Sequence, residues 1–234
     1  MIKKLKKIGE KMKLITFQTL DALKELISKG YLETNESLIN TEKYGLIYDW
    51  IIEKMTEHIP NEFNCKYPLW CWVKFKNGIC PPKHNGKSKD IKVKITFHKS
   101  EHEVFVTDYR RYAFVLNNVF IPSNKKEKEE FEKILRKYNV TEEDLKAAIR
   151  KDKFKTHRTD KEYLNVCKII RQSFDKCITR DSDVLQGCIW RIDLSEVDKI
   201  EILNDTEYTY GTFNYLRANG KRFDWIDDYY KKIF

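Results

Sequence analysis

Glycine and proline are scarce in this 234-residue chain, at 8 and 5 residues, and their scarcity narrows the chemistry at once. A phosphate cradled by backbone N–H groups needs closely spaced glycines, and there is no GxGxxG, no Walker-type loop and no nucleophile elbow. The HExxH zinc signature is also missing. None of the six cysteines stands at CxxC spacing, and most lie in apolar segments, which suits reduced, buried thiols better than a disulfide framework. A zinc set of Cys65, Cys71, Cys80 and His84 can be drawn, but Cys71 sits between two tryptophans in an alternating run, so buried thiols are preferred and no metal is expected. His58, His98, His102 and His157 each lie beside charged residues and read as exposed. No apolar run approaches the roughly 20 residues of a membrane span. The basic N-terminus lacks the apolar stretch of a secretory signal, so the expectation is a cytoplasmic protein with no membrane partner.

Aromatic residues are abundant. Thirteen Tyr, thirteen Phe and five Trp argue against disorder and for one large core with wide apolar faces. The net charge of +9 is uneven: residues 1–13 hold six Lys and one Glu, and residues 83–99 hold six Lys and one Asp. Either patch is suited to lie near phosphates. Arg is sparse in both, which favours a lysine-coated surface over nucleic-acid binding.

The organising stretch is 14–32, LITFQTLDALKELISKGYL. It opens as a strand, Thr19 and Asp21 start a helix, Leu20, Leu23, Leu26 and Ile27 repeat at helical spacing, and Gly30 supplies a left-handed stop. A strand running into a helix sets its last polar side chains beside the positive helix terminus, which marks Thr16, Gln18 and Thr19 as candidates for a site. The alternative is an ordinary corner with a Thr cap. Residues 1–12 read as a basic appendage, with Met12 as a possible alternative start. Thr41 opens a second helix with Leu46, Ile47, Trp50, Ile51 and Met55 on one face and Tyr44, Tyr48 and Asp49 on the other; Tyr48 is a candidate ligand contact. In YPLWCWVKF, Trp70, Trp72 and Lys74 point one way and Cys71, Val73 and Phe75 the other, giving either a core face or a pocket wall for a planar ligand.

IKVKITF and EVFVTDY, joined by HKSEH, read as a hairpin. Residues 112–116 read as a short helix. A helical insertion around 123–178 follows, with Ser123, Thr141 and Thr159 as expected caps and Tyr163, Cys167, Ile170, Phe174 and Cys177 as a buried stripe. GCIWRIDL and DKIEIL read as strands, and residues 205–234 as an aromatic tail that packs on the core and ends in a helix. The expected class is α+β, with a core over 13–204. Polar side chains on or against strands need a reason, and three stand out: Thr16 with Gln18, Asp108 in VFVTDY, and Gln186 just before CIWRI. Hydrogen-bonded recognition of a ligand suits them better than acid–base chemistry.

From about 13 to 203 the chain resembles the bacterial proteins grouped as domain of unknown function 3841. The segments that carry the resemblance are KLITFQTLDALKELISKGYL, YGLIYDWIIEKM, YPLWCWVKF, VFVTDYRRYAFVLNNVFIP and QGCIWRIDLSEVDKI. More distantly, the order strand–helix, aromatic strand, polar-led strand is similar to that of ADP-ribosyltransferases that modify nucleic acids. That resemblance implies a single domain with a mixed or antiparallel split sheet, NAD as cofactor, Trp70 or Trp72 stacking on nicotinamide, and a nucleic acid or protein acceptor. It sets Thr16 where those enzymes carry His or Arg, and Gln186 where they carry the catalytic Glu. Gln186 offers a hydrogen bond but no charge, so Asp183, Asp108 or Asp49 would have to supply it. Gln186, Thr16 and Asp108 are thus the catalytic candidates; Thr16, Gln18, Tyr48, Trp70, Trp72 and Gln186 are the cofactor contacts. Two other functions are open: a non-catalytic nucleotide-binding module on the same scaffold, and a protein-interaction factor of the antitoxin, phage-defence or counter-defence kind using Tyr208, Tyr210, Phe213 and Tyr215.

Overall fold

The computed structural model describes residues 10–39, 41–79, 91–141, 143–145, 158–202 and 213–217, with the backbone alone given for 38, 41–47, 91–92 and 213–217. The chain divides into two compact units. Unit 1 takes residues 1–34, 59–105 and 186–234, and unit 2 takes residues 35–58 and 106–185. The class is mixed α+β.

Strand β1 (Lys11–Thr19) leads directly into helix α1 (Leu20–Lys29). The corner forms as the local pattern demands: Thr19 accepts a hydrogen bond from the Ala22 N–H, and Gly30 closes the helix at φ 78°, where any side chain would be strained. Leu23 and Leu26 are the buried rungs of α1. The other strands are β2 (Tyr31–Leu32), β3 (Leu69–Phe75), β4 (Ile91–Ser100), β5 (Phe105–Asp108), β6 (Val184–Ile189), β7 (Ile192–Asp193), β8 (Val197–Ile202) and β9 (Phe213–Arg217). Seven of them form one sheet in the order β5-β6-β3-β1-β4-β8-β9. β1 pairs antiparallel with both β3 and β4, β4 with β8, and β8 with β9.

Successive side chains of a strand alternate between faces. In unit 1 the pairs Leu14↔Phe97, Ile95↔Ile200, Val93↔Ile202 and Phe97↔Val197 put seven buried apolar side chains on one face, the aliphatic face. Burial of each is worth about 1.5–3 kcal/mol, which sets the register against a one-residue slip. Beside it, β2 and β7 pair as a separate two-stranded sheet. There the Arg191 guanidinium sits 3.9 Å from the Tyr31 ring centre and 4.2 Å from that of Phe63, and pairs with Asp193 at 2.7 Å.

One buried cation ties two turns of unit 1. Lys99, only 4% exposed, ends β4 next to the 3-10 turn Glu101–Glu103. Glu103 accepts from the Ser100 N–H with one oxygen and meets Lys99 Nζ at 3.5 Å with the other. Glu196, in the turn Leu194–Glu196, accepts from the Asp193 N–H and meets the same Nζ at 2.7 Å. A lysine buried this deeply needs such partners. Burial raises the carboxyl of Glu196, and the Lys99 hydrogen bond only partly offsets it.

Unit 2 is helical: α2 (Thr41–His58), α3 (Tyr109–Leu116), α4 (Lys125–Lys137) and α5 (Lys161–Ser173). Trp50 packs edge-on against Phe174 and donates Nε1–H to Asp175 at 3.3 Å. Phe120 stacks on Phe131, with Lys176 Nζ over the Phe120 ring. No helix among the described residues is long and apolar enough to cross a membrane.

Several sequence expectations need correcting. β4 and β5 are not a hairpin, because β4 is already flanked by β1 and β8 while β5 adjoins β6. His98 to Ser100 continue β4 rather than turning. GCIWRIDL is not one strand: β6 begins at Val184, so Gln186 lies within it, and the strand breaks at Trp190, whose Nε1–H donates to the Ile59 carbonyl. α4 is capped by Asn124, not Ser123, and α5 by Asp160, not Thr159. In both, a neighbouring Asx side chain wins over the hydroxyl, as an equal or better cap. Thr141 and Asp144 do bond reciprocally as expected. The terminal helix expected at 224–233, Tyr208, Tyr210, Cys80 and His84 lie outside the described residues.

Candidate functional site

The register of β1 decides where the predicted site residues face. Ile15 stands opposite Trp72 on one side and Thr96 on the other, so these three share a face. Two residues along, Trp70 and Phe17 join it by the pleat, with Lys94 opposite Phe17. A Cβ on Gly187 would stand 2.8 Å from Val104 Cγ1 and 3.0 Å from both Cys71 Sγ and Val73 Cγ2. Gly187 therefore faces the Cys71 side, and Gln186, one residue earlier, faces the indole side. Gly187 is also what lets β6 lie this close to β3, and the Cys71 thiol donates to its carbonyl at 3.4 Å.

Trp70, Trp72 and Gln186 thus lie on one face, from the neighbouring strands β3 and β6. Both indoles are half-buried rather than sealed in the core. Gln186 is 8% exposed, and its Nε2 has no hydrogen-bond partner among the described residues. An unsatisfied buried donor costs about 1–3 kcal/mol, so it asks for an explanation.

Thr16 does not join them. It is 2% exposed on the aliphatic face, where its hydroxyl donates to the Trp70 carbonyl and accepts from Gln18 Nε2, both at 2.8 Å. It touches the backbone of Trp70 from behind, not the ring. The strand–helix corner carries its polar pair as a brace between β1 and β3.

Asp108 caps α3 in unit 2, accepting from the N–H groups of Arg110 and Arg111. The other carboxylates proposed to replace a catalytic Glu are also in unit 2: Asp183 pairs with Arg110 at 2.9 Å, and Asp49 is exposed on α2. Tyr48 is half-buried on the same helix.

Sequence reasoning missed the polar half of the indole face. Thr96 stands opposite Lys199, and Lys94 opposite Glu201, so β4 and β8 add two lysines and a carboxylate. Glu201 meets Lys94 and Lys199 at 3.0 Å each. Burial alone would raise its carboxyl; the two lysine hydrogen bonds outweigh that, and the net shift is downward. β8 lies three strand intervals from β3, about 14 Å at the usual spacing, so Glu201 is not the carboxylate that a ligand stacked on the indoles would meet. The alternation of KVKITFHK was the available signal, but it needed a register to attach it to the tryptophans.

The thiols of Cys65, Cys71, Cys167 and Cys177 are held in the protonated form by burial. Burial pushes Cys71 and Cys177 up to about 12 and Cys65 up to about 11, and all five described cysteines are free.

No curated protein and no solved structure matches the chain. A family model does: the one described as Domain of unknown function (DUF3841) matches residues 13–198, most of the sequence, and the chain belongs to that family.

Proposed function

We propose that the protein binds a ligand bearing a nucleobase on the indole face of unit 1, without covalent chemistry. The observation that carries this reading is the orphaned Nε2 of Gln186, buried on the same face as two half-buried indoles. A planar heterocycle stacked on Trp70 or Trp72 would supply π-contact worth about 1–3 kcal/mol per base. A carbonyl oxygen or ring nitrogen on its edge would accept the Gln186 proton and so discharge the cost of leaving it unmade.

Tryptophan fluorescence titrated with adenosine, guanosine, cytidine and uridine tests it. Quenching by at least one nucleoside, lost in Trp72→Ala or Trp70→Ala, is the expected outcome. Binding unchanged in both variants would remove the reading.

ADP-ribosyl transfer is the second reading. It is favoured by one observation: the aromatic strand and the Gln186 strand are neighbours in the sheet and direct Trp72 and Gln186 to one face. It requires charge stabilisation of an oxocarbenium-like centre, which Gln186 lacks. Thr16 is engaged on the opposite face, and Asp108 by its cap. Incubation with labelled NAD separates the readings. Transfer predicts nicotinamide release that increases in Gln186→Glu; no release from either form leaves binding alone.

A further inference from the structure

One end of the indole face carries two lysines and a histidine that no carboxylate among the described residues pairs with. Lys13 stands directly opposite His98 across the β1–β4 ladder. Lys74 lies two residues beyond Trp72 on β3 and Lys13 two residues before Ile15 on the antiparallel β1, so both fall on the same face and toward the same end of the sheet. Lys74, Lys13 and His98 therefore lie side by side on three adjacent strands, one pleat beyond the row Trp72, Ile15, Thr96 and on the same face. Lys13 and Lys74 are exposed and His98 is half-buried. Unlike Lys94 and Lys199, which share Glu201, none of the three has an ion pair or hydrogen bond among the described residues. Lys13 and Lys74, both positive and on neighbouring strands of one face, repel, so their pairing is an arrangement that an anion would relieve.

Its place beside Trp72 identifies the anion. Trp72 and Lys74 are two residues apart on one strand, about 6.7 Å. That is comparable with the reach from a stacked nucleobase across one ribose to its 5′-phosphate. We infer that the row is a phosphate subsite, and that the ligand of the indole face is a nucleoside 5′-phosphate, with base on Trp72, base edge at Gln186 and phosphate against Lys13, Lys74 and His98. The inference rests on the base-binding reading above and adds to it the identity of the second half of the ligand. Two lysines and an imidazole present point-like donors on flexible stems, which suits a mobile terminal phosphate rather than a fixed bidentate clamp. No glycine loop is needed, in keeping with the scarcity of glycine.

The test compares each nucleoside with its 5′-monophosphate by fluorescence quenching, in the wild type and in the Lys13→Gln/Lys74→Gln double variant. The expected result is at least tenfold tighter binding of the monophosphate by the wild type, weakening as salt rises. The double variant should bind nucleoside as before and monophosphate no better than nucleoside, with a melting temperature that holds or rises as the lysine repulsion is removed. Inorganic phosphate should compete with the monophosphate but not with the nucleoside. If nucleoside binds and the 5′-phosphate adds nothing, or the double variant keeps the whole gain, the phosphate subsite is overturned and base binding stands. If no nucleoside or monophosphate quenches, base binding fails and this inference with it. A gain seen only with single-stranded oligonucleotides, and not with monophosphates, also overturns it in favour of a nucleic-acid surface.

Discussion

The two faces of the unit 1 sheet are made by the same strands and do opposite things. On the aliphatic face, Leu14, Val93, Ile95, Phe97, Val197, Ile200 and Ile202 are buried with their own kind, and the buried polar residues there are satisfied: the Thr16 hydroxyl in both directions, and Lys99 by Glu103 and Glu196. On the indole face, aromatic rings stay half open, and among the described residues a buried amide nitrogen has no acceptor and two lysines and a histidine stand in a row with no ion pair. Under the proposed function, the contrast separates residues that stabilise the fold from residues that meet the ligand.

The contrast is broken most directly by truncating one residue from each face. Phe97→Ala removes a ring with no exposed surface and should cost about 3–5 kcal/mol of stability, read from urea unfolding. Trp72→Ala removes a larger side chain and should cost less than half as much, while abolishing nucleoside binding. Equal losses of stability would mean that the indole face is core after all.

A subtler change sharpens it. Gln186→Leu removes the unsatisfied amide at nearly constant volume, so the urea midpoint should hold or rise even as nucleoside affinity falls about tenfold. A loss of stability would instead mean that the amide is bonded in solution.

The smallest effect is in acid. Glu201 has a folded-state value below its ordinary 4.5, because Lys94 and Lys199 favour its charged form over the opposing effect of burial. Its contribution to stability is therefore complete above 4.5 and is lost as the pH falls through the lower, folded value. The stability gap between wild type and Glu201→Gln should be present at pH 7 and close as the pH falls through the lowered folded value; a gap that persists once that carboxylate is protonated would show that its charge is not the source.

What could be read from the residues was local. The turn from β1 into α1, with its Thr19 cap and Gly30 stop, was legible because hydroxyl, helical spacing and glycine all lie within twelve residues. The alternation of Trp70, Cys71 and Trp72 was legible for the same reason. What escaped was pairing between distant strands. IKVKITF and EVFVTDY look like a hairpin because they are adjacent in sequence, yet β4 is occupied on both edges by strands from far along the chain. The face of Thr16 relative to Trp72 depends on a register that no single strand encodes, and a one-residue change in it would have reversed the answer. Asp108 read as a buried acid in need of a purpose; its purpose is two N–H groups in the next turn.

Lys99 draws the Glu101–Glu103 and Leu194–Glu196 turns into a common fate. Because a single ammonium answers both carboxylates, one cannot swing open without leaving its counterpart to hold the charge alone, and amide exchange in the two segments should slow and quicken in step. Segments nearly a hundred positions apart would then behave as one hinge plate fastened by one rivet.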